Sequence, residues 1–121
     1  MSGIRLLVCG GRDNDDNKTI FARLDYIHAV KGVSFVMHGG AAGADAAAYT
    51  WARGMGIEQK TFSADWKQYG NKAGPVRNTQ LLYEGKPDYW IAFPRANGEY
   101  GSGTLDMMKK LKTANIKGMA T

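Results

Sequence analysis

Three glycine-rich turns hold most of the residues in this chain that could do chemistry. They are Cys9-Gly10-Gly11-Arg12-Asp13, His38-Gly39-Gly40-Ala41-Ala42-Gly43-Ala44-Asp45 and Gly101-Ser102-Gly103-Thr104. Glycine lets a backbone come close to a ligand, and the free N–H groups opening a helix, with the dipole behind them, attract phosphate. Arg12 adds a cation to the first turn, there to meet a phosphate or to pair with Asp13 or Asp45. Arg77 follows Pro75 by two residues. Pro75 predicts the first turn of a helix, where a cation opposes the dipole; the misfit suits a bidentate grip on phosphate, and a solvated surface arginine is the alternative. Asp45 is electrostatically welcome at its helix start, and an acid there also suits a ribose hydroxyl. No turn has the Walker A spacing. None has the G-x-G-x-x-G fingerprint with an acid about 20 residues on, which disfavours ordinary NAD binding.

Asn78 and Arg95 complete the polar set expected around these turns. Trp66 and Tyr69, three residues apart in a polar stretch, either stack on a base or anchor their loop; Tyr100 is the better stacking candidate. Glu99 and Asp106 are the candidate acid–base groups, with Asp13 behind them. His38 reads as a crevice-wall histidine or a proton-transfer group, His28 as a surface residue, and Cys9 as a small buried hydrophobe. Two histidines and one cysteine at unrelated spacings make no zinc site, so neither a metal nor a cofactor is expected.

The elements that must position these residues alternate. Apolar runs at Ile4–Cys9, Val33–Met37, Gln59–Phe62 and Tyr89–Phe93 read as strands, with a short edge strand at Ile116–Met119. Between them lie helical patterns. The first is capped by Asn17 and carries Ile20, Leu24 and Ile27. The second spans about Gly43 to Arg53 with Ala47, Trp51 and Met55 on one stripe. A third runs from Pro75 to Glu84, with Gly85 as its C-cap, and the last sets Leu105, Met108 and Leu111 on one face. Such alternation predicts an α/β, Rossmann-like doubly wound parallel sheet of about five strands in the order 3-2-1-4-5. Ligands then bind at the carboxyl ends of the strands, in the crevice between the first and fourth.

With 121 residues, the chain is expected to form one domain over positions 1–121. One cysteine allows no intrachain disulfide, and the N-terminus carries no signal-like apolar stretch. No run approaches the ~20 apolar residues of a membrane span, so the expected setting is cytoplasmic with no membrane partner. Sixteen Lys and Arg against 11 Asp and Glu give a net charge of +5, which favours anionic partners without choosing between nucleotide and nucleic acid. The basic residues are scattered and form no aromatic–basic stripe, which leaves single-stranded DNA the lesser alternative. A homo-oligomer remains open.

The same residues resemble the SLOG superfamily of Rossmann-like domains, and most closely its YspA/YpsA-related branch. The resemblance runs through Gly10-Gly11-Arg12-Asp13, His38-Gly39-Gly40-Ala41-x-Gly43-Ala44-Asp45 and Ala64-Asp65-Trp66-x-x-Tyr69-Gly70. It continues in Ala73-Gly74-Pro75-x-Arg77-Asn78, Ala92-Phe93-Pro94 and Gly103-Thr104-x-Asp106-Met107. It implies recognition of a nucleotide or nucleotide-derived small molecule, for sensing or sequestration. Relatives implied include LOG-type phosphoribohydrolases, which cleave an N-glycosidic bond, and the DNA-processing protein of natural transformation. The chain departs from the pattern in having Ala42 where arginine is usual and a long loop, Pro94–Tyr100, after the fourth strand. Met107 also stands where LOG-type enzymes carry a catalytic glutamate. The expected activity is binding, with N-glycosidic hydrolysis as the alternative.

Overall fold

Consecutive residues of a strand point to opposite faces, so a run such as Leu6-Leu7-Val8 needs cover on both. In the computed structural model, which describes residues 3–121, it has that cover: all three side chains are fully buried. They belong to β1 (Ile4–Gly10), the central strand of a parallel sheet with β2 (Val33–His38), β3 (Glu58–Thr61), β4 (Tyr89–Phe93) and β5 (Gly118–Ala120). The order is β3-β2-β1-β4-β5, as expected. Pairing of β1 with β4 runs from Leu6 opposite Tyr89 to Gly10 opposite Phe93, so the two strands end side by side.

Two apolar cores lie on either side of the sheet. Leu6, Val8, Ile91 and Phe93 pack under α1 (Asn17–Lys31) and α2 (Ala44–Met55), joined by Ile20, Leu24 and Trp51. Leu7, Met37 and Trp90 face α4 (Ala73–Tyr83) and α5 (Ser102–Thr113), joined by Leu81, Met107 and Leu111. Each such buried side chain contributes about 1.5–3 kcal/mol. The polar stretch after β3 contains the short helix α3 (Trp66–Tyr69) and a 3-10 turn, Gly70–Lys72. Asp65 caps α3 by accepting from the Gln68 N–H at 3.1 Å.

Several local expectations shift. Helix α1 is capped by Asp16, which accepts from the Thr19 N–H, one residue before Asn17. His28 is half-buried and functional in the fold: its Nδ1 accepts from the Val33 N–H at 2.9 Å, closing the turn at Gly32. Met55 is exposed, because α2 ends there on the left-handed Gly56. Leu105 is exposed while Met107 is buried, so the inner face of α5 is set by Thr104, Met107, Met108 and Leu111. Glu84, ahead of Gly85, closes α4. No helix among the described residues is long and apolar enough to cross a membrane.

Candidate functional site

Strands β1, β2 and β4 deliver Gly10, His38 and Phe93 to the same end of the sheet, and the turns beyond them enclose a cavity of about 600 Å³. Its floor includes Val8, Cys9, Leu81 and Met107. Gly10, Gly11, Arg12, Asp13, Gly39, Asp45, Arg77, Asn78, Arg95, Gly101, Ser102, Gly103 and Thr104 all border it, and so does Asp106. Gly40 borders a smaller adjoining lobe of about 310 Å³. Gly43, Glu99 and Tyr100 border neither.

Most of the glycines are required by the protein itself. A Cβ on Gly10 would come within 2.7 Å of the Ala44 Cβ and the Phe93 carbonyl; on Gly11 it would meet the Arg95 backbone, and on Gly39 the Arg77 guanidinium. Gly43 has φ +75° and lies against the Gly11 carbonyl, holding the first two turns together. Their N–H groups are mostly used internally. Gly11 donates to the Phe93 carbonyl, Gly39 and Ala41 to Asp45 Oδ2, and Gly40 to His38 Nδ1. The first two turns therefore supply shape more than phosphate donors.

The third turn differs. Gly101 caps α5 without a side-chain hydrogen bond, and the first N–H groups of any helix lack intrahelical partners. Ser102, Gly103 and Thr104 thus bring free donors and the positive end of the dipole to the cavity wall. A Cβ on Gly103 would meet nothing within 4 Å, so this glycine faces open space.

Asp45 and Arg77 form the opposite wall. Asp45 is 6% exposed, with Oδ2 fixed by the Gly39 and Ala41 N–H groups at 3.2 Å each. Its Oδ1 is shielded from solvent and has no hydrogen-bond partner. Burial pushes the Asp45 carboxyl above its usual value, outweighing the Ala41 N–H and the nearby Arg77 charge. Arg77 lies in the second turn of α4, because that helix begins at Ala73, so the dipole misfit is not what holds it there. Its guanidinium donates to the Gly39 carbonyl at 3.0 Å, and its Nε to Asn78 Oδ1 at 3.0 Å. Burial pushes the guanidinium down from its usual value, yet arginine stays cationic.

The acid–base candidates are tied down. Asp106 borders the cavity, but its Oδ2 accepts from Lys110 Nζ at 2.6 Å and from Asn78 Nδ2 at 3.0 Å. Burial raises its pKa, but those two bonds prevail and hold it below the usual carboxylate value. Asn78 also donates to the Gly103 carbonyl, which makes it a brace between α4 and α5. Asp13 Oδ1 accepts from the Ala96 N–H, and Asn14 donates to the Pro94 carbonyl, so both moor the long loop. That loop closes on itself through Arg95 N–H to the Glu99 carbonyl, which keeps Glu99 exposed and away from the cavity. Tyr100 turns the other way: its hydroxyl donates to the Thr121 carbonyl and its ring joins the α4–α5 core.

Arg12 makes no ion pair with Asp13 or Asp45; its guanidinium lies 5.9 Å from the centroid of the Trp66 ring. Trp66 is 51% exposed and borders both lobes, an aromatic surface rather than a loop anchor. Its signal in the sequence is a tryptophan within a polar stretch just before the third helix. His38 is buried, with Nδ1 accepting from Gly40 and Nε2 donating to Gln59 Oε1 at 3.0 Å, so both nitrogens serve the fold. Burial, aided by Asp45, pushes the Cys9 thiol up, so it stands in the floor uncharged. Among the described residues no cluster of His, Cys, Asp and Glu is arranged to hold a metal ion.

The family model described as the YspA, cpYpsA-related SLOG family matches residues 4–69, more than half of the chain. The chain belongs to this family. It is also similar to the Gene 61 protein of Mycobacterium phage D29, at 35% identity over an alignment 118 positions long that covers 93% of this chain and 91% of that protein. Among solved structures it resembles the phosphoribosylglycinamide formyltransferase of Bacillus halodurans at 14% identity and a TM-score of 0.43. The likeness covers 84% of this chain and 50% of that enzyme. The family match takes in the first two glycine turns and Trp66 but stops before Arg77 and the start of α5. Those later parts of the wall are properties of this chain's own geometry.

Proposed function

We infer that the crevice binds a phosphate-bearing nucleotide or nucleotide-derived small molecule and that binding, for sensing or sequestration, is the activity. The observation that carries this reading is the pairing of α5's free N–H groups with Arg12, Arg77 and Arg95 around one cavity. Helix N-termini and guanidinium forks are complementary to phosphate oxygens in both charge and hydrogen-bond direction. The phosphate sits at Ser102–Thr104 beside Arg95. The sugar and base run over the apolar floor toward Arg77 and the Trp66 ring. Asp45 acts through others, holding the Gly39–Ala41 turn against Arg77. Calorimetry with the ribonucleoside monophosphates of all four bases tests this. Saturable binding that is lost on competition with none of the corresponding nucleosides, but with the phosphates, is expected; equal affinity for unphosphorylated nucleosides overturns it.

Hydrolysis is a second reading because Asp45 is a carboxyl in the wall whose pKa burial raises, in the direction an acid–base group needs. Against it, the Met107 thioether lies in the floor where a carboxylate would be needed, and Asp106 is committed to Lys110 and Asn78. Chromatography of nucleotides after incubation separates the two readings. Multiple turnovers that vanish in Asp45→Asn support hydrolysis.

A further inference from the structure

The crevice has a second lobe, and what divides it from the first is a pair of cations. The larger cavity and the smaller one of about 310 Å³ share Arg12, Arg77, Trp66, Gly39 and Ala41. Both volumes reach the lower end of the range for small-ligand sites, about 300–1,000 Å³. The walls peculiar to the smaller lobe are Gly40, Ala42, Ser63 and Ala64, all small side chains that leave the space open. At the junction, Arg12 has no acidic partner among the described residues, and Arg77 donates only to carbonyl oxygens and to Asn78. Neither guanidinium is in a salt bridge among the described residues, the buried Asp45 beside Arg77 being committed to the Gly39 and Ala41 N–H groups, and two such cations beside a half-exposed indole mark a place for negative charge between two flat or sugar-like groups.

We propose that the ligand is bipartite: two nucleoside-like units joined through phosphate, with the linkage at the Arg12–Arg77 junction and the second unit in the lobe formed by Ala42, Ser63 and Ala64. This rests on the binding reading above and deepens it. The first unit keeps its own phosphate at the start of α5. The linkage is either a phosphodiester or a diphosphate, since both present anionic oxygens to two guanidiniums.

The test compares the full chain's affinity for ribonucleoside monophosphates of all four bases, 5′-phosphorylated ribodinucleotides of every base combination, dinucleoside diphosphates that carry one further monophosphate on a ribose, and 5′-phosphorylated single strands of up to eight nucleotides. At least one bipartite probe is expected to bind tenfold or more tighter than its mononucleotide. The dinucleotide and diphosphate arms identify the linkage. Ser63→Trp and Ala42→Tyr fill only the smaller lobe, at exposed positions. Each is expected to remove that advantage while leaving mononucleotide affinity within twofold and the thermal midpoint unchanged. Mononucleotides binding as tightly as every bipartite probe would overturn the proposal and leave the binding reading standing. An advantage that survives both variants would place the second unit elsewhere and also overturn it. Affinity that keeps climbing from two to eight nucleotides would reveal a strand track in place of a two-unit site. If no phosphate-bearing probe binds at all, the underlying reading fails together with this one.

Discussion

Asp45 is the least expected side chain in the wall, because its position in the first turn of α2 had a sufficient explanation in the helix dipole. In the fold it does more: one oxygen clamps the Gly39–Ala41 turn, and the other is buried without a partner. A side-chain amide can keep its oxygen on the two N–H groups and shed the buried charge. The pKa is raised in the folded chain above the ordinary value of 3.8, so the protonated form is the better tolerated. The stability Asp45 contributes is therefore complete below that value and is lost as pH rises through the folded-state pKa. Asp45→Asn is expected to be more stable than the wild type at pH 7, with the difference shrinking as pH falls toward 4. Urea unfolding across that range reads it, and a difference that grows in acid would contradict the assignment. Arg77 is the converse case, where charge is needed. Arg77→Ala removes bonds to the Gly39 carbonyl and Asn78, and is expected to cost about 1–2 kcal/mol of stability. It should weaken a ligand whose linking phosphate lies at the Arg12–Arg77 junction by about 1.5–3 kcal/mol, measured by calorimetry under conditions where the variant is folded. Pro75 predicted Arg77 in a first helical turn; it borders the cavity from the second turn of α4, because the helix starts two residues before that proline. Tyr100 was not legible, because the direction of a side chain in a loop is set by contacts with the distant Thr121 that no local pattern encodes.

At the scale of elements, the alternation of apolar runs and helical stripes carried the sheet order, since right-handed crossovers leave few other topologies. What it could not carry was the use of each glycine. Gly10, Gly11, Gly39 and Gly103 look alike in sequence and all border the cavity, yet the first three are packed against Phe93, Arg95 and Arg77, and of the four only Gly103 has open space where a Cβ would go. The difference depends on strands and helices brought together from positions tens of residues apart. It predicts opposite outcomes for the same substitution. Gly103→Ala puts its Cβ in open space at the second position of α5, and a helical alanine is favoured over glycine by up to about 0.5–1 kcal/mol. Because Cβ atoms tilt toward the N-terminus of a helix, the same methyl group crowds the phosphate position. The variant should melt no lower than the wild type while binding nucleotide tenfold or more weakly. Gly11→Ala, by contrast, drives a Cβ to within 2.5 Å of the Arg95 Cα and should lower the melting temperature.

The whole molecule is a sheet with a core on each face and one polar end, and its net charge of +5 is spread widely while the crevice concentrates three of its arginines. Scattered charge draws in any polyanion weakly, and such binding falls steeply with salt. A site built from fixed donors and partly buried guanidiniums is screened less. These two behaviours separate a small-molecule binder from a nucleic-acid binder without knowledge of the ligand. A ligand held only by the folded chain stabilises it by about 2.7 kcal/mol at a concentration of one hundred times Kd. For a chain of this length, 1 kcal/mol moves the midpoint by very roughly 3–6 °C, so a saturating nucleotide should raise Tm by about 8–16 °C. Single-stranded DNA at equal phosphate concentration should raise it much less. Repeating the melts at 50 and 300 mM salt should leave most of the nucleotide shift in place and abolish whatever DNA produces. A DNA shift that matches the nucleotide shift and persists at the higher salt would move the activity from the crevice to the surface of the molecule.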